Sequence, residues 1–187
     1  MAAEPIQRKL FTTTEYHQML QAGILSEDDR VELIEGEIWE MSPIGSRHIW
    51  CVAYLDRILQ RGVGDDVIVL VQSPIRLNDF SEPEPDLTVV RPPAGAFPET
   101  LPTAEQALLV IEVAESSVGY DRDVKIGLYA RSGIPETWLF VLPESRIEVY
   151  RDPSPEGYQL VLTLRPGDRL SPLAFPDLMI EVNALLG

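Results

Sequence analysis

Ala107-Leu108-Leu109-Val110-Ile111-Glu112-Val113 is an apolar run broken by a single charge. Its length is that of a strand, and a strand apolar on both sides is one covered on both faces of a sheet. Alternation along a strand sets Glu112 on one face with Leu108 and Val110. Charged side chains are almost never fully buried unless they are paired or bound to metal. Glu112 is therefore expected either in an internal ion pair, with an arginine as the obvious partner, or in chemistry.

The pattern extends outward from this strand. Upstream, Asp86-Leu87-Thr88-Val89-Val90 reads as a second strand, entered from the acidic, proline-rich loop Ser81-Glu82-Pro83-Glu84-Pro85. Residues 67–72, continuing past Pro74 to Leu77, read as a third strand or a bent pair. Between strands, residues 91–102 form a loop, because Pro92, Pro93, Pro98 and Pro102 exclude regular structure. Earlier still, Ile49, Val52, Leu55, Ile58 and Leu59 recur at helical spacing and stop at Gly62 and Gly64.

Downstream, Asp121 reads as the N-cap of a helix carrying Val124, Leu128 and Tyr129 and closed by Ser132-Gly133. Residues 138–142, 146–150 and 158–164 read as a strand meander with turns at 143–145 and 152–157. Residues 171–187 read as a short extended piece and a terminal turn. At the other end, Thr12 and Glu15 have capping-box spacing for a helix to about Gly23, and residues 31–39 form one or two strands around Gly36. The expected architecture is α/β (α+β). Its core over residues 46–142 runs helix, strand, strand, strand, helix, strand, as a mixed central sheet flanked by helices. An N-terminal helix/strand extension over 1–45 and a C-terminal β-meander over 143–187 complete one domain spanning 1–187.

Charge narrows the function. A formal net charge of −15 repels polyanions at long range, whereas nucleic-acid affinity comes largely from phosphate neutralisation by clustered Lys and Arg. Any nucleic-acid role then needs a local basic strip, a metal ion, or both; the bland reading of the acidity is solubility. Arg47, Arg57 and Arg61 on the helix before the sheet, and Arg122 and Arg131 around Lys125, are candidates for such a strip. Pairing of these arginines with the abundant carboxylates is the safer expectation. One cysteine, Cys51, and two histidines, His17 and His48, provide neither an internal disulfide nor a zinc cluster. Cys51 is expected to be buried and inert. His17 reads as the surface of an amphipathic helix. No apolar run approaches the roughly 20 residues of a membrane span, and Met1–Leu10 lacks a signal-peptide stretch, so a cytoplasmic protein without a membrane partner is expected.

Lysine is nearly absent: Lys9 and Lys125 stand against thirteen arginines in a Lys+Arg total of 15. An ammonium acts as a compact point charge, able to position a water where guanidinium does so poorly. Lys125 lies four residues after Asp121, which gives either an ordinary helix pair or an ammonium held over a site. If the Asp86 and Glu112 strands are neighbours, their carboxylates converge. Two like charges about 4 Å apart repel by roughly 4 kcal/mol at an effective dielectric near 20, so a proton, a cationic side chain or a divalent ion must neutralise them. Oxygen-only ligation favours Mg²⁺ or Mn²⁺. Taken alone, Asp86 reads as a cap or a surface residue.

Glu82-Pro83-Glu84-Pro85-Asp86, Ile111-Glu112-Val113, Asp121-Arg122-Asp123-Val124-Lys125 with Tyr129, Gly133-Ile134-Pro135-Glu136 and Trp138 form an ordered set. With Glu32-Leu33-Ile34-Glu35-Gly36-Glu37 and His48 upstream, they resemble the Uma-type putative restriction endonuclease family. That family, of unknown function, is similar to a branch of the PD-(D/E)XK nuclease superfamily. The resemblance covers nearly the whole chain and lies in the order and spacing of motifs that are individually weak. It implies the restriction-endonuclease-like core and a catalytic set of Asp86, Glu112 and Lys125.

Within that set, Asp86 and Glu112 would hold Mg²⁺ or Mn²⁺, with Val113 and Glu32 assigned to the same metal group, and Lys125 would be the water-positioning base. The superfamily's usual Glu-X-Lys would put lysine at 114, where Ala114 stands; the resemblance moves that role to the following helix. His48, Arg122 and Tyr129 would lie near substrate. Structural alternatives stay open for three of these residues: a strand surface for Glu32, a satisfied structural histidine for His48 and plain core for Tyr129. The implied function is metal-dependent endonuclease hydrolysis of nucleic acid, DNA first, through a metal-bound water, in a homo-oligomer such as a dimer. The alternative is a non-catalytic acidic interaction module on a degenerate nuclease fold, which the net charge favours.

Overall fold

The computed structural model describes residues 7–26, 28–93 and 99–186. The readings made of residues 1–6, of the loop part that includes Pro98 and of Gly187 lie outside them. The decisive run forms β5, Ala107–Ala114, buried along almost its whole length. It stands inside a six-stranded sheet with β3 (Ile68–Val71), β4 (Leu87–Val90), β6 (Glu136–Val141), β7 (Arg146–Ser154) and β8 (Gly157–Leu164), in the order β3-β4-β5-β6-β7-β8. Only β5 and β6 pair in parallel; the other neighbours are antiparallel. A parallel pair cannot be joined by a hairpin, so the chain crosses over between them through the helical segment that follows β5.

Alternation along the strands builds two cores. Leu109, Ile111 and Val113 of β5 meet Cys51, Val52, Leu55 and Leu59 of helix α2, Ser46–Gly62, together with Trp138 and Phe140 of β6. Each such aliphatic side chain removed from water is worth about 1.5–3 kcal/mol. On the other face, Val110 packs with Tyr129, and Ala114 packs with Ile126, Leu139 and Val141. The expected mixed sheet flanked by helices is therefore present. Leu108 departs from the expected face: Val89 pairs with Leu109 but Val90 with Ala107, so the bulge turns Leu108 toward the α2 side.

The crossover helix also differs from its reading. It begins before Asp121, as α3 (Val118–Tyr120), passes through a π-helical turn (Asp121–Lys125) and continues as α4 (Ile126–Arg131). Asp121 lies inside the helix at φ −60°, ψ −46°, and its Oδ2 accepts from the Ser117 hydroxyl at 2.5 Å instead of capping. Ile49, one of the apolar residues whose spacing marks this helix, is 55% exposed; α2 turns His48, Cys51, Val52, Leu55 and Leu59 inward.

At the N-terminus, the capping box of Thr12 and Glu15 forms both of its bonds and starts α1, Thr13–Gln21. Strands β1 (Val31–Ile34) and β2 (Glu37–Glu40) make a separate hairpin, turned by Glu35 at φ 50° and Gly36 at φ 82°. A Cβ at Gly36 would lie 2.6 Å from that of Leu10, so no side chain fits there. The Glu82 N–H donates to the Leu33 carbonyl at 2.7 Å and ties the hairpin to the loop before β4.

Strand β3 ends at Val71, where Gln72 takes φ 43°; β7 runs on through Pro153, so the following turn is tighter than expected. The C-terminal end pairs β9 (Arg169–Leu170) with β10 (Ile180–Glu181) and adds α5, Asn183–Leu186, whose Leu185 and Leu186 join the α2 core. Among the described residues no helix is long and apolar enough to cross a membrane.

Candidate functional site

Register brings the acids together. Leu87 pairs with Ile111 across β4 and β5, and one step beyond that pair stand Asp86 and Glu112 on adjacent strands. The Val113 N–H donates to Asp86 Oδ2 at 2.8 Å, and His48 Nε2 lies 2.8 Å from Asp86 Oδ1. His48 reaches that position from the first turn of α2, which starts at the same end of the sheet. The β1–β2 hairpin delivers Glu32 from outside the sheet, and the π turn delivers Lys125.

Lys125 Nζ lies 2.8 Å from Glu112 Oε1 and 3.2 Å from Glu32 Oε2. The Tyr129 hydroxyl donates to the same Glu112 oxygen at 2.5 Å, and the Tyr120 hydroxyl to Glu32 Oε1 at 3.1 Å. The Glu84 N–H donates to Glu32 Oε2 at 3.0 Å. Glu32, Glu112 and Lys125 are 2%, 3% and 3% exposed, so this is a buried charge cluster. A π turn gives up regular α-helical hydrogen bonding and occurs frequently at functional sites. Here it turns both Asp121 and Lys125 into the cluster, and Tyr129 follows one turn later onto the same acid.

Burial pushes the Glu112 carboxyl up to about 8, more than the neighbouring Lys125 pulls it down. Burial raises Asp121 and Glu84 as well. For Lys125, burial alone would favour the neutral amine, but Glu112, Tyr129, Glu32 and Asp121 around it hold it well above the ordinary lysine range. The ammonium therefore keeps its proton.

A cavity of about 430 Å³ opens on this cluster, lined by Glu32, His48, Glu84, Asp86, Glu112, Val113, Asp121 and Lys125 among others. Its wall carries Glu40 and Glu115 in addition to those acids, against only Arg30, Lys125 and His48 as cationic or potentially cationic groups. Among the described residues, no group of three or more His, Cys, Asp or Glu side chains stands in metal-binding arrangement. The donor chemistry nevertheless fits a hard divalent cation: hard oxygen donors, with more negative charge than one ammonium neutralises.

Of the residues singled out in the sequence, Asp86, Glu112, Val113, Glu32, Lys125 and His48 line one cavity. Tyr129 lies behind Glu112, fully buried. Arg122 is not brought there; it points to β7, where its Nε and Nη2 donate to Glu148 at 3.0 and 2.8 Å. Arg131 pairs with Glu35 at 2.7 Å. The partner of buried Glu112 is Lys125, so the alternative of an internal pair with an arginine is not realised, and Asp121 bonds Ser117 instead of pairing with Lys125. The support of Glu32 by Tyr120 and by the Glu84 N–H, and the His48–Asp86 contact, leave no signal in the sequence, because each joins segments far apart in the chain with no local pattern between them.

No curated protein matches this chain. Among solved structures, a putative nuclease belonging to DUF820 from Anabaena variabilis is similar over 97% of this chain and 98% of its own, with 18% identity and a TM-score of 0.75. At that identity the likeness speaks for the fold alone. The family described as "Putative restriction endonuclease", Uma2, matches residues 13–183, nearly the full length. The chain therefore belongs to the Uma2 family.

Proposed function

We propose that this protein is a divalent-metal-dependent nuclease that hydrolyses phosphodiester bonds, with DNA as its substrate. The observation that carries the reading is the buried Lys125 ammonium, 2.8 Å from Glu112 on the wall of a cavity that Asp86 also lines. Family membership and the oxygen-rich donor set support the same conclusion. In this reading Asp86 and Glu112 hold Mg²⁺ or Mn²⁺, with Val113 and Glu32 in the same group. When bound, such a cation supplies Lewis acidity to the scissile phosphate and makes its water more acidic.

The chain's own residues do the rest. Lys125 orients the attacking water as a hydrogen-bond donor and not as the base that the resemblance implies, since the acids around it keep it charged. Glu32, held by Tyr120 and the Glu84 N–H, fixes the lysine's second contact. Tyr129 pins one oxygen of Glu112, and His48 with the Val113 N–H fixes the orientation of Asp86. Such preorganised groups need little rearrangement when charge develops on phosphate.

Calorimetric titration of Mn²⁺ into wild type, Asp86→Asn and Glu112→Gln tests the metal assignment. Saturable binding in wild type that both variants abolish is expected; binding unchanged in both removes these acids as ligands. Lys125→Ala is expected to keep Mn²⁺ binding and to lose cleavage by on the order of 10²-fold or more. Cleavage at the wild-type rate would overturn the lysine's role, and a protein that never cleaves and binds no metal would instead be an acidic interaction module.

A further inference from the structure

Helix α2 holds three of the six arginines that have no carboxylate partner among the described residues; the other three, Arg30, Arg91 and Arg165, lie in separate segments. Seven of the thirteen arginines, Arg8, Arg76, Arg122, Arg131, Arg146, Arg151 and Arg169, are in ion pairs with carboxylates. Among the described residues, Arg57 and Arg61 have no such partner, and Arg47 donates only to the Leu142 carbonyl, at 3.1 Å. In a protein of net charge −15, three arginines of one helix thus remain unneutralised by acids. The only acid on α2 is Asp56, half-buried and hydrogen-bonded to Gln60 at 3.4 Å.

These arginines fall in line. Positions 47, 50, 54, 57 and 61 recur at spacings of three and four residues and form one stripe along the helix. Between the arginines the stripe holds Trp50, 67% exposed, and Tyr54, 49% exposed, with neither covered by the protein. An exposed aromatic stripe rimmed by cations marks an interaction surface. The 17 residues of α2 span about 25 Å at roughly 1.5 Å per residue, long enough to follow several nucleotides. The helix starts at the cavity, whose wall includes Gly45 and His48.

Resting on the nuclease reading for the cavity, we infer that the outward face of α2 is the nucleic-acid docking surface, with Arg57 and Arg61 on backbone phosphates and Trp50 and Tyr54 against exposed bases or sugars. Charge complementarity selects the partner. A chain of net charge −15 repels a polyanion at long range, and α2 is where unpaired arginines cluster on one stripe to receive it. Guanidinium beside aromatic rings is the combination that grips single strands, by phosphate pairing and base stacking together.

The test is fluorescence anisotropy with a short fluorescein-labelled DNA single strand and the matching duplex, with Ca²⁺ added in place of Mg²⁺. Arg57→Glu/Arg61→Glu is expected to weaken binding at least about tenfold, and the neutral pair Arg57→Ala/Arg61→Ala to lower the slope of log affinity against log salt by about one for each arginine. Trp50→Ala is expected to weaken the single strand by about tenfold and the duplex less. Arg165→Glu, at an exposed arginine outside α2, serves as the control and stays near wild type. All these side chains are exposed, so the variants fold, and their thermal melts check it.

Affinity unchanged in Arg57→Glu/Arg61→Glu, or no binding of either probe by wild type, overturns the proposal. So does a wild-type dimer that Trp50→Ala/Tyr54→Ala dissociates while DNA affinity stays the same, since that assigns the stripe to self-association. The two readings separate cleanly. Binding that depends on this face in a protein that cleaves nothing keeps the docking surface and discards the nuclease; cleavage with unchanged affinity in the arginine variants does the reverse.

Discussion

The sheet buries carboxylates in two places and treats them in opposite ways. On β6 and β7, Glu136 and Glu148 are closed in by donors. Glu148 Oε1 takes Nη2 of Arg122 and of Arg146, both at 2.8 Å, while Oε2 takes Arg122 Nε at 3.0 Å and the Tyr150 hydroxyl at 2.5 Å. Glu136 Oε1 accepts from Trp138 Nε1 at 2.9 Å and Arg151 Nε at 2.8 Å, and Oε2 from the Leu173 N–H at 2.5 Å. On the β4–β5 side, Glu112 and Glu32 share one ammonium, and with Asp86 and Asp121 they face a cavity.

The shared burial therefore says nothing about function by itself. Burial raises a carboxyl in both places, but at Glu148 the Arg122 hydrogen bonds and Tyr150 outweigh it and leave the group below the ordinary range. At Glu112 burial wins. Arginine forks saturate a carboxylate and lock it as structure, whereas a lone lysine among several acids leaves charge to be used. A structural cluster is complete within the chain; the other is short of cations.

The largest expected effect breaks the closed cluster. Glu136→Ala strands Arg151 and the Trp138 indole, and removing one partner of a buried pair typically costs about 3–5 kcal/mol. For a chain of this size the melting temperature should fall by roughly 10 °C, seen by calorimetry, while cleavage per folded molecule is unchanged. Loss of cleavage in the folded variant would break the division between structural and functional acids.

A second measurement sharpens the contrast through pH. The folded Glu112 carboxyl holds a proton that the unfolded chain gives up from about pH 4.5, so its contribution to stability is present below that value and is lost as pH rises to about 8. Urea unfolding without divalent metal should therefore show Glu112→Gln gaining on wild type across that window. Glu148 has the opposite sign: its stabilisation is present above the ordinary carboxyl range and is lost as the solution is acidified through its lowered value. The advantage of wild type over Glu148→Gln should shrink only in acid. Parallel pH profiles for the two variants would refute the contrast.

The smallest effect belongs to the support of the open cluster. Tyr120→Phe removes one hydroxyl donor to Glu32 and should cost about 1 kcal/mol in denaturant unfolding. Because the loss is relayed through Glu32 to Lys125, cleavage should fall by a few-fold with substrate affinity retained. An equal loss of affinity would place Tyr120 at the substrate instead.

Much of this protein could be read from local pattern. The capping box at Thr12 and Glu15, the apolar spacing of α2 and the run of β5 are set by contacts within a few residues, so the order of the core elements follows from sequence. The same local logic exposed Glu112 as an acid that needed a partner, and set Lys125 apart by its rarity. Tertiary structure decided who met whom. The β4–β5 register set Asp86 beside Glu112, the hairpin carried Glu32 across from outside the sheet, and the π turn aimed Lys125 at both. It also chose which face of α2 was buried, sending Ile49, Trp50 and Tyr54 outward, and which arginines found acids. Those outcomes depend on pairings between residues tens of positions apart, whose energies exist only once the chain has closed the loops between them; a local pattern holds no record of them.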